Sequence, residues 1–224
     1  MGDFFDVKLA IENLPLILSG LPMTLVVSFA SMGLGLVLGL FVSLGRSSDL
    51  VLLRYPARVY ISFMRGTPIL VFLFILYYGL PMIDIKMPAI MAAILGFGLN
   101  SAAYIAEVIR SSINSVPKGQ WESAKALGFG YWQALMKIIL PQSTRIALPP
   151  LTNVFLDLVK ATSLAAVITV PELFQKAQIA GSRSFDSLTM YVLVALIYWP
   201  VCILISVFQE RLENKFSKFM KSNP

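Results

Sequence analysis

The sequence predicts an all-α fold that crosses a membrane five times, on three observations. Of 224 residues, 57% are hydrophobic and only 13% charged, with a mean hydropathy of +0.77. Soluble domains lie nearer half apolar and a quarter charged. The excess comes in blocks: no Asp, Glu, Lys or Arg occurs in 13–45, 66–83, 87–106 or 187–209, runs of 33, 18, 20 and 23 residues. About 20 apolar residues cross the hydrocarbon core, so each block can hold a span. A fifth region, 146–171, is apolar apart from Asp157 and Lys160.

The expected spans are about 16–44, 66–83, 88–112, 146–170 and 187–209, within one domain covering 1–224. Residues 1–15 read as a short outer tail. The first block is not a removable signal: it is too long, lacks a basic leader, and follows acidic Asp3, Asp6 and Glu12. Gly33, Gly35 and Gly39 within it suggest close helix packing. Arg54, Arg58 and Arg65 share one helical face over 50–65, an interfacial helix leading into span 2. Gly66-Thr67-Pro68 breaks that helix, and Pro81 ends the span. The segment from Pro171 to Ala180 fits a short outer helix, and Pro200 a kink in span 5.

Charge orients the chain. Arg46, Arg54, Arg58, Arg65, Arg110, Lys118, Lys125, Lys137, Arg145, Arg211, Lys215, Lys218 and Lys221 fall on one side, thirteen of the 18 cations. Only Lys8, Lys86, Lys176 and Arg183 fall on the other. The positive-inside rule puts the amino terminus outside and the carboxyl terminus in the cytoplasm. The net charge of +6 is therefore topological rather than a mark of nucleic-acid binding. One cysteine, Cys202, and no histidine exclude an internal disulfide, a Cys/His zinc cluster and a Ser-His triad.

The loop 115–141 is then cytoplasmic. Ser115 suits a helix cap and Pro117 its first turn. Gln120, Trp121, Glu122, Ala124 and Leu127 suit the helix, and Gly128 and Gly130 suit left-handed positions after it. Leu135, Ile138, Ile139 and Leu140 give an apolar stripe up to Pro141, expected to stop the second piece. Such a unit is a rigid docking knob; an ordinary interfacial loop fits the same spacing.

The run Glu122-Ser123-Ala124, Gly128, Ile138, Leu140-Pro141 resembles the EAA loop of bacterial ABC-importer permeases, with Ser123 where the family usually has alanine. The likeness extends through Arg65-Gly66-Thr67-Pro68, Ala103-Tyr104-Ile105-Ala106-Glu107, Ser115-Val116-Pro117-Lys118-Gly119-Gln120 and Leu164-Ala165-Ala166-Val167-Ile168. These look like the polar-amino-acid branch. Lys118-Gly119-Gln120-Trp121-Glu122 and Pro171-Glu172-Leu173-Phe174 through Ala177-Gln178 look most like the cystine permeases. The resemblance implies a type I ABC-importer permease fold with a cytoplasmic coupling helix. By the same resemblance Gln120, Glu122, Ser123, Ala124, Leu127 and Gly128 would contact a partner ATPase. Two ATPase subunits, a second permease copy or homologue and an extracytoplasmic solute-binding protein complete such an importer. ATP and Mg2+ would be bound by the ATPases, since this chain lacks the G-x-x-x-x-G-K-[ST] phosphate loop. The chain itself would be a non-catalytic subunit in a bacterial inner membrane.

Asp157 and Lys160 are three apart, so they share a face and can pair. A charge at bilayer depth costs at least ~2.5–3.5 kcal/mol and marks a pathway by default. Asn153 lies on the same face, and Thr162 and Ser163 follow. This face offers an acceptor for an ammonium group and a donor for a carboxylate, as an amino acid needs. A purely structural ion pair is the other reading. Relatives often carry an acidic residue directly after the lysine, where this chain has Ala161. Asn100, Ser101 and Tyr104 form a second polar patch that either lines the same cavity or bonds between helices. Glu107 and Arg110 pair most simply with each other, and Arg65 fixes the inner end of span 2.

The expected function is ATP-driven import of a polar amino acid, L-cystine above others. An ion-coupled secondary transporter is the alternative; the odd span count and the lack of an inverted repeat weigh against it. An intramembrane enzyme would need a catalytic pair, for which Asp157 with Lys160 is the sole candidate.

Overall fold

The computed structural model describes residues 5–217; Asp3, Lys218 and Lys221, named above, lie outside them. Nine helices follow one another among the described residues: α1 Val7–Leu18, α2 Leu21–Ser47, α3 Val51–Gly66, α4 Ile69–Ile83, α5 Ala89–Asn114, α6 Lys118–Ala126, α7 Tyr131–Ile168, α8 Leu173–Ser184 and α9 Ser187–Ser217. Four are long and apolar enough to cross a membrane: α2, α5, α7 and α9. The pair α3–α4, bent by 103° at Gly66–Pro68, makes a fifth. Straight α4 holds only fifteen residues, about 22 Å at 1.5 Å per residue. It is therefore shorter than the expected span 2 and begins three residues later.

The first span also starts later than expected. Residues 7–18 form a helix of their own rather than a tail. Asp6 caps it, its carboxylate accepting from the Leu9 amide at 2.9 Å. Ala10 and Ile17 are buried against Leu173, Ala177, Met190 and Leu193 of α8 and α9. The chain breaks at Ser19–Gly20 because Gly20 passes directly beside the next layer. A Cβ there would sit 2.6 Å from the Glu172 carbonyl carbon.

Two prolines expected to end helices instead follow a widened turn. Residues Ile75–Gly79 and Leu135–Ile139 are π-helical, and each segment is followed by Leu-Pro. A helical proline lacks an N–H and presses its ring on the carbonyl four residues back. A π-turn shifts that carbonyl aside: the Leu80 and Leu140 amides bond five residues back, to Ile75 and Leu135. Pro141 therefore does not stop the helix. α7 runs on through Pro149 and Pro150 to Ala161 and tightens to 3-10 geometry over Thr162–Ile168. Span 4 thus joins the loop before it without a break, where the sequence predicts a start near 146.

The core forms where α2 lies along α5. Gly35 and Gly39 let the two approach: a Cβ on Gly39 would be 2.8 Å from Ile105, and one on Gly35 3.1 Å from Ser101. Gly33, expected in the same seam, faces open space. Above this seam, Val27, Leu73, Phe97, Leu158, Ile168 and Val170 form the main apolar cluster.

The end of the bundle that carries α8 is fastened by a buried carboxylate. Glu172 is fully enclosed and caps α8, with Oε1 accepting from the Gln175 amide and Oε2 from the Tyr198 hydroxyl, each at 2.7 Å. The Leu173 amide donates to Thr24 Oγ1 of α2 at 3.2 Å. One short segment thus ties α2, α8 and α9 together.

Two expectations test this packing. Gly39→Ala forces Ile105 aside, an overpacking cost of about 1–3 kcal/mol, and lowers the thermal unfolding midpoint in detergent. Gly33→Ala leaves the midpoint unchanged or higher; equal midpoints for the two variants would refute the seam. Burial pushes the Glu172 carboxyl above the usual carboxylate range, against the pull of its hydrogen bonds. Folding then favours the protonated form. That contribution is full below the ordinary value of 4.5 and is lost as pH rises through the raised one. The unfolding midpoint should fall over that interval, and the fall should flatten in Glu172→Gln.

Candidate functional site

α5 and α7 together line a cavity of about 220 Å³ within the spanning layer. Asn100, Ser101 and Tyr104 come from α5, Val154 and Asp157 from α7, and Ile69 and Phe97 close the sides. The two polar patches singled out in the sequence therefore meet at one cavity through these four polar residues. Asn100 also holds the wall together, its Nδ2 donating to the Met64 carbonyl at 2.8 Å.

Lys160 Nζ lies 2.8 Å from Asp157 Oδ1, so the predicted pair forms. Both side chains are open to the outside of the chain, 58% for Lys160 and 75% for Asp157. Asn153 is exposed one turn away on the same face. Lys160 reaches past the first cavity to a second of about 460 Å³, shared with Ser163, Tyr191, Tyr198 and Cys202.

Thr162 does not join them. It is fully buried and its hydroxyl donates to the Val159 carbonyl at 2.7 Å, which leaves no polar edge for a cavity. At about 100° per residue Thr162 lies well round the helix from Asp157, and it begins the 3-10 turn over Thr162–Ile168. The Ser163 hydroxyl donates to the Lys160 carbonyl at 2.8 Å.

A third cavity, about 300 Å³, follows toward the arginine-rich end of the bundle. It is lined by Arg65, Tyr104, Glu107, Val108, Ser111 and Val154. Tyr104 and Val154 border both this cavity and the first. Glu107 is held by Arg110 at 2.7 Å and also by Arg46 at 3.4 Å, a partner on α2 that helical spacing could not reveal.

The loop 115–141 folds as a knob. α6 ends in a pair of bonds, Phe129 amide to Ala124 carbonyl and Gly128 amide to Lys125 carbonyl, both 3.0 Å. That pattern needs a left-handed residue after the helix, and Gly128 supplies it at φ +79°. Gly130, expected to be left-handed too, has φ −69°. Ser115 does not cap α6: its hydroxyl donates back to the Ser111 carbonyl, and Pro117 takes the cap position. The knob is braced by Trp121 stacked on Tyr131, centroids 5.5 Å apart. Val116, Leu135 and Ile139 pack beneath. Gln120 accepts from Gln142 Nε2 at 3.0 Å.

Glu122, Ser123, Leu127 and Gly128 face outward, beside exposed Trp132 and Met136. Ala124 does not: it is fully buried. Trp132 and Met136 are not singled out in the sequence, since spacing alone does not show which apolar side chains stay exposed.

Comparison with known proteins gives the context of this arrangement. The family model described as "Binding-protein-dependent transport system inner membrane component" matches residues 31–218. The chain is 61% identical over 216 residues to the probable amino-acid ABC transporter permease protein YckA of Bacillus subtilis (strain 168), covering 96% of each chain. It is 41% identical to the L-cystine transport system permease protein TcyB of the same organism, over 92% of this chain and 88% of that one. Its fold is similar to a chain in the crystal structure of an amino acid ABC transporter with histidines, with TM-score 0.90 and 33% identity over 94% of this chain and 98% of that one.

Gly128→Ala puts a Cβ in the left-handed region, at a cost of roughly 1–2 kcal/mol, although nothing crowds the site. The expected result is faster limited proteolysis within 118–131, with Gly130→Ala cleaved as slowly as the parent. Equal rates would mean that the turn does not hold the knob.

Proposed function

Because the chain belongs to the family of binding-protein-dependent transport inner membrane components, and is a multi-pass amino-acid ABC transporter permease subunit, we propose that it forms half of the membrane pathway for a polar amino acid, L-cystine above others. The observation that carries this reading is the Asp157–Lys160 pair, open on a spanning helix at the rim of a cavity lined by Asn100, Ser101 and Tyr104. Charges at that depth do not face hydrocarbon. A second permease, a copy or a homologue, covers this face and closes the cavity from the other side. At about 220 Å³ the cavity is smaller than the ~300–1,000 Å³ of ligand sites, as half of a shared site would be. Asp157 then takes the substrate ammonium, and Asn100, Ser101 and Lys160 offer donors to its carboxylate. The choice of cystine rests on the likeness to a cystine permease and on the Lys118–Glu122 and Pro171–Gln178 runs.

The arginine-rich end faces the cytoplasm, with the amino terminus outside, as the cation asymmetry requires. The knob at 115–141 seats in a partner ATPase through Gln120, Glu122, Ser123, Leu127 and Gly128, joined by Trp132 and Met136. Two ATPases bind ATP and Mg2+, close together and move both knobs; because α7 is continuous from Tyr131 to Ile168, the push reaches the Asp157 face without a flexible joint. A solute-binding protein delivers the amino acid at the outer face.

The test is ATPase activity of the importer in liposomes, purified with its ATPase and binding protein, against a panel of amino acids including cystine. One liganded binding protein should stimulate hydrolysis, and Gly128→Asp should abolish the stimulation. Asp157→Asn should retain assembly with the ATPase but lower uptake about 10- to 100-fold, the loss of one charged hydrogen bond of ~1.5–3 kcal/mol. Uptake that follows an ion gradient without any ATPase would replace this reading with a secondary transporter.

A further inference from the structure

The two cavities that meet at Tyr104 carry opposite charges. Asp157 lines the first and Arg65 the third. Arg65 stands at the last turn of α3, and the last two turns of that helix are clamped to α5 by two bonds. Tyr60 donates its hydroxyl to the Leu99 carbonyl at 2.6 Å, and Asn100 donates to the Met64 carbonyl at 2.8 Å. The 103° bend that follows turns α4 away and leaves Arg65 at the cavity mouth. Its guanidinium carbon lies 5.4 Å from the centre of the Tyr104 ring, within the range of a cation–π contact.

The one carboxylate in this cavity does not neutralise Arg65. Glu107 is engaged by Arg110 and Arg46, and among the described residues Arg65 has no carboxylate within ion-pair distance. A guanidinium held in a concave site and resting on an aromatic face suits a planar anion that can replace the ring as its partner.

We propose that this inner cavity is a second amino-acid subsite, in which Arg65 receives the carboxylate of the substrate on its way to the cytoplasm. Tyr104 is the partition between the subsites, and Arg65 resting on it is the closed state of that partition. The amino acid passes ammonium-last: its carboxylate leads toward Arg65 while Asp157 still holds the other end. A cation at the exit gives a zwitterion somewhere to go once the first cavity opens downward. The inference rests on the importer reading above, and it adds a cytoplasmic-side site that the substrate can also enter from within.

The experiment uses proteoliposomes of the whole importer with the ATPases outward and liganded binding protein trapped in the lumen. ATP is added to the bath with either the stimulating amino acid of the panel or its carboxamide. In the parent, millimolar bath amino acid should slow hydrolysis, and the carboxamide should be about tenfold less effective, since it cannot make the charged pair. Arg65→Gln should erase that difference while still assembling with the ATPases; Arg65→Lys should retain the difference. If Arg65→Gln does not assemble, Arg65→Met, which keeps the length of the side chain and removes its charge, should likewise erase the difference. Inhibition by acid and carboxamide alike, no inhibition by either, or full discrimination in the variant that assembles overturns the subsite. A parent complex that lumenal binding protein does not stimulate overturns the importer reading instead.

Discussion

Asp157 and Lys160 pair on a helix of otherwise apolar character, and the pair is open to whatever lies beside the chain. Hydrocarbon is not an acceptable neighbour for it. That constraint orders the rest of the structure. The second chain proposed above would cover this open face and make the cavity between α5 and α7 part of a larger space. Other surfaces of the bundle, with Phe29, Phe41 and Leu204 exposed, carry no charge and have no such demand.

The same constraint acts on the backbone. No water satisfies an orphan carbonyl within a bilayer, so breaks in a spanning helix must be repaired within the protein. Here the repairs are visible. Two π-turns precede Pro81 and Pro141. Short hydroxyl side chains bond back along their own helices, as Ser28 does to Thr24 at 2.7 Å and Thr152 to Leu148 at 3.0 Å. The 103° bend at Gly66–Pro68 lies at the arginine-rich end and follows directly on Arg65 at the mouth of the third cavity.

Stiffness follows from these repairs. The knob is rigid because Gly128 closes α6, Trp121 stacks on Tyr131, and Val116, Leu135 and Ile139 fill the space beneath. It continues into α7 through a π-turn instead of a loop, so force on the knob is force on the helix that bears Asp157. At the other end, the Glu172 carboxylate and the Leu173 amide together tie α2, α8 and α9 into one block.

By itself the sequence determined the elements whose cause is local. Charge-free runs gave the spans, because length and apolarity alone decide whether a helix can cross. Gly128 and the i, i+3 spacing of Asp157 with Lys160 fixed a turn and a pair, because both depend on neighbours within one helix turn. The knob's family likeness was legible for the same reason: its residues lie together in the chain. Tertiary structure alone decided which side chains face one another. It brought Asn100, Ser101 and Tyr104 to Asp157, gave Glu107 a second arginine from α2, and buried Ala124. It buried Thr162 as well. It also set Arg65 on Tyr104, since that approach depends on the direction of a bend and not on the spacing of residues along the chain.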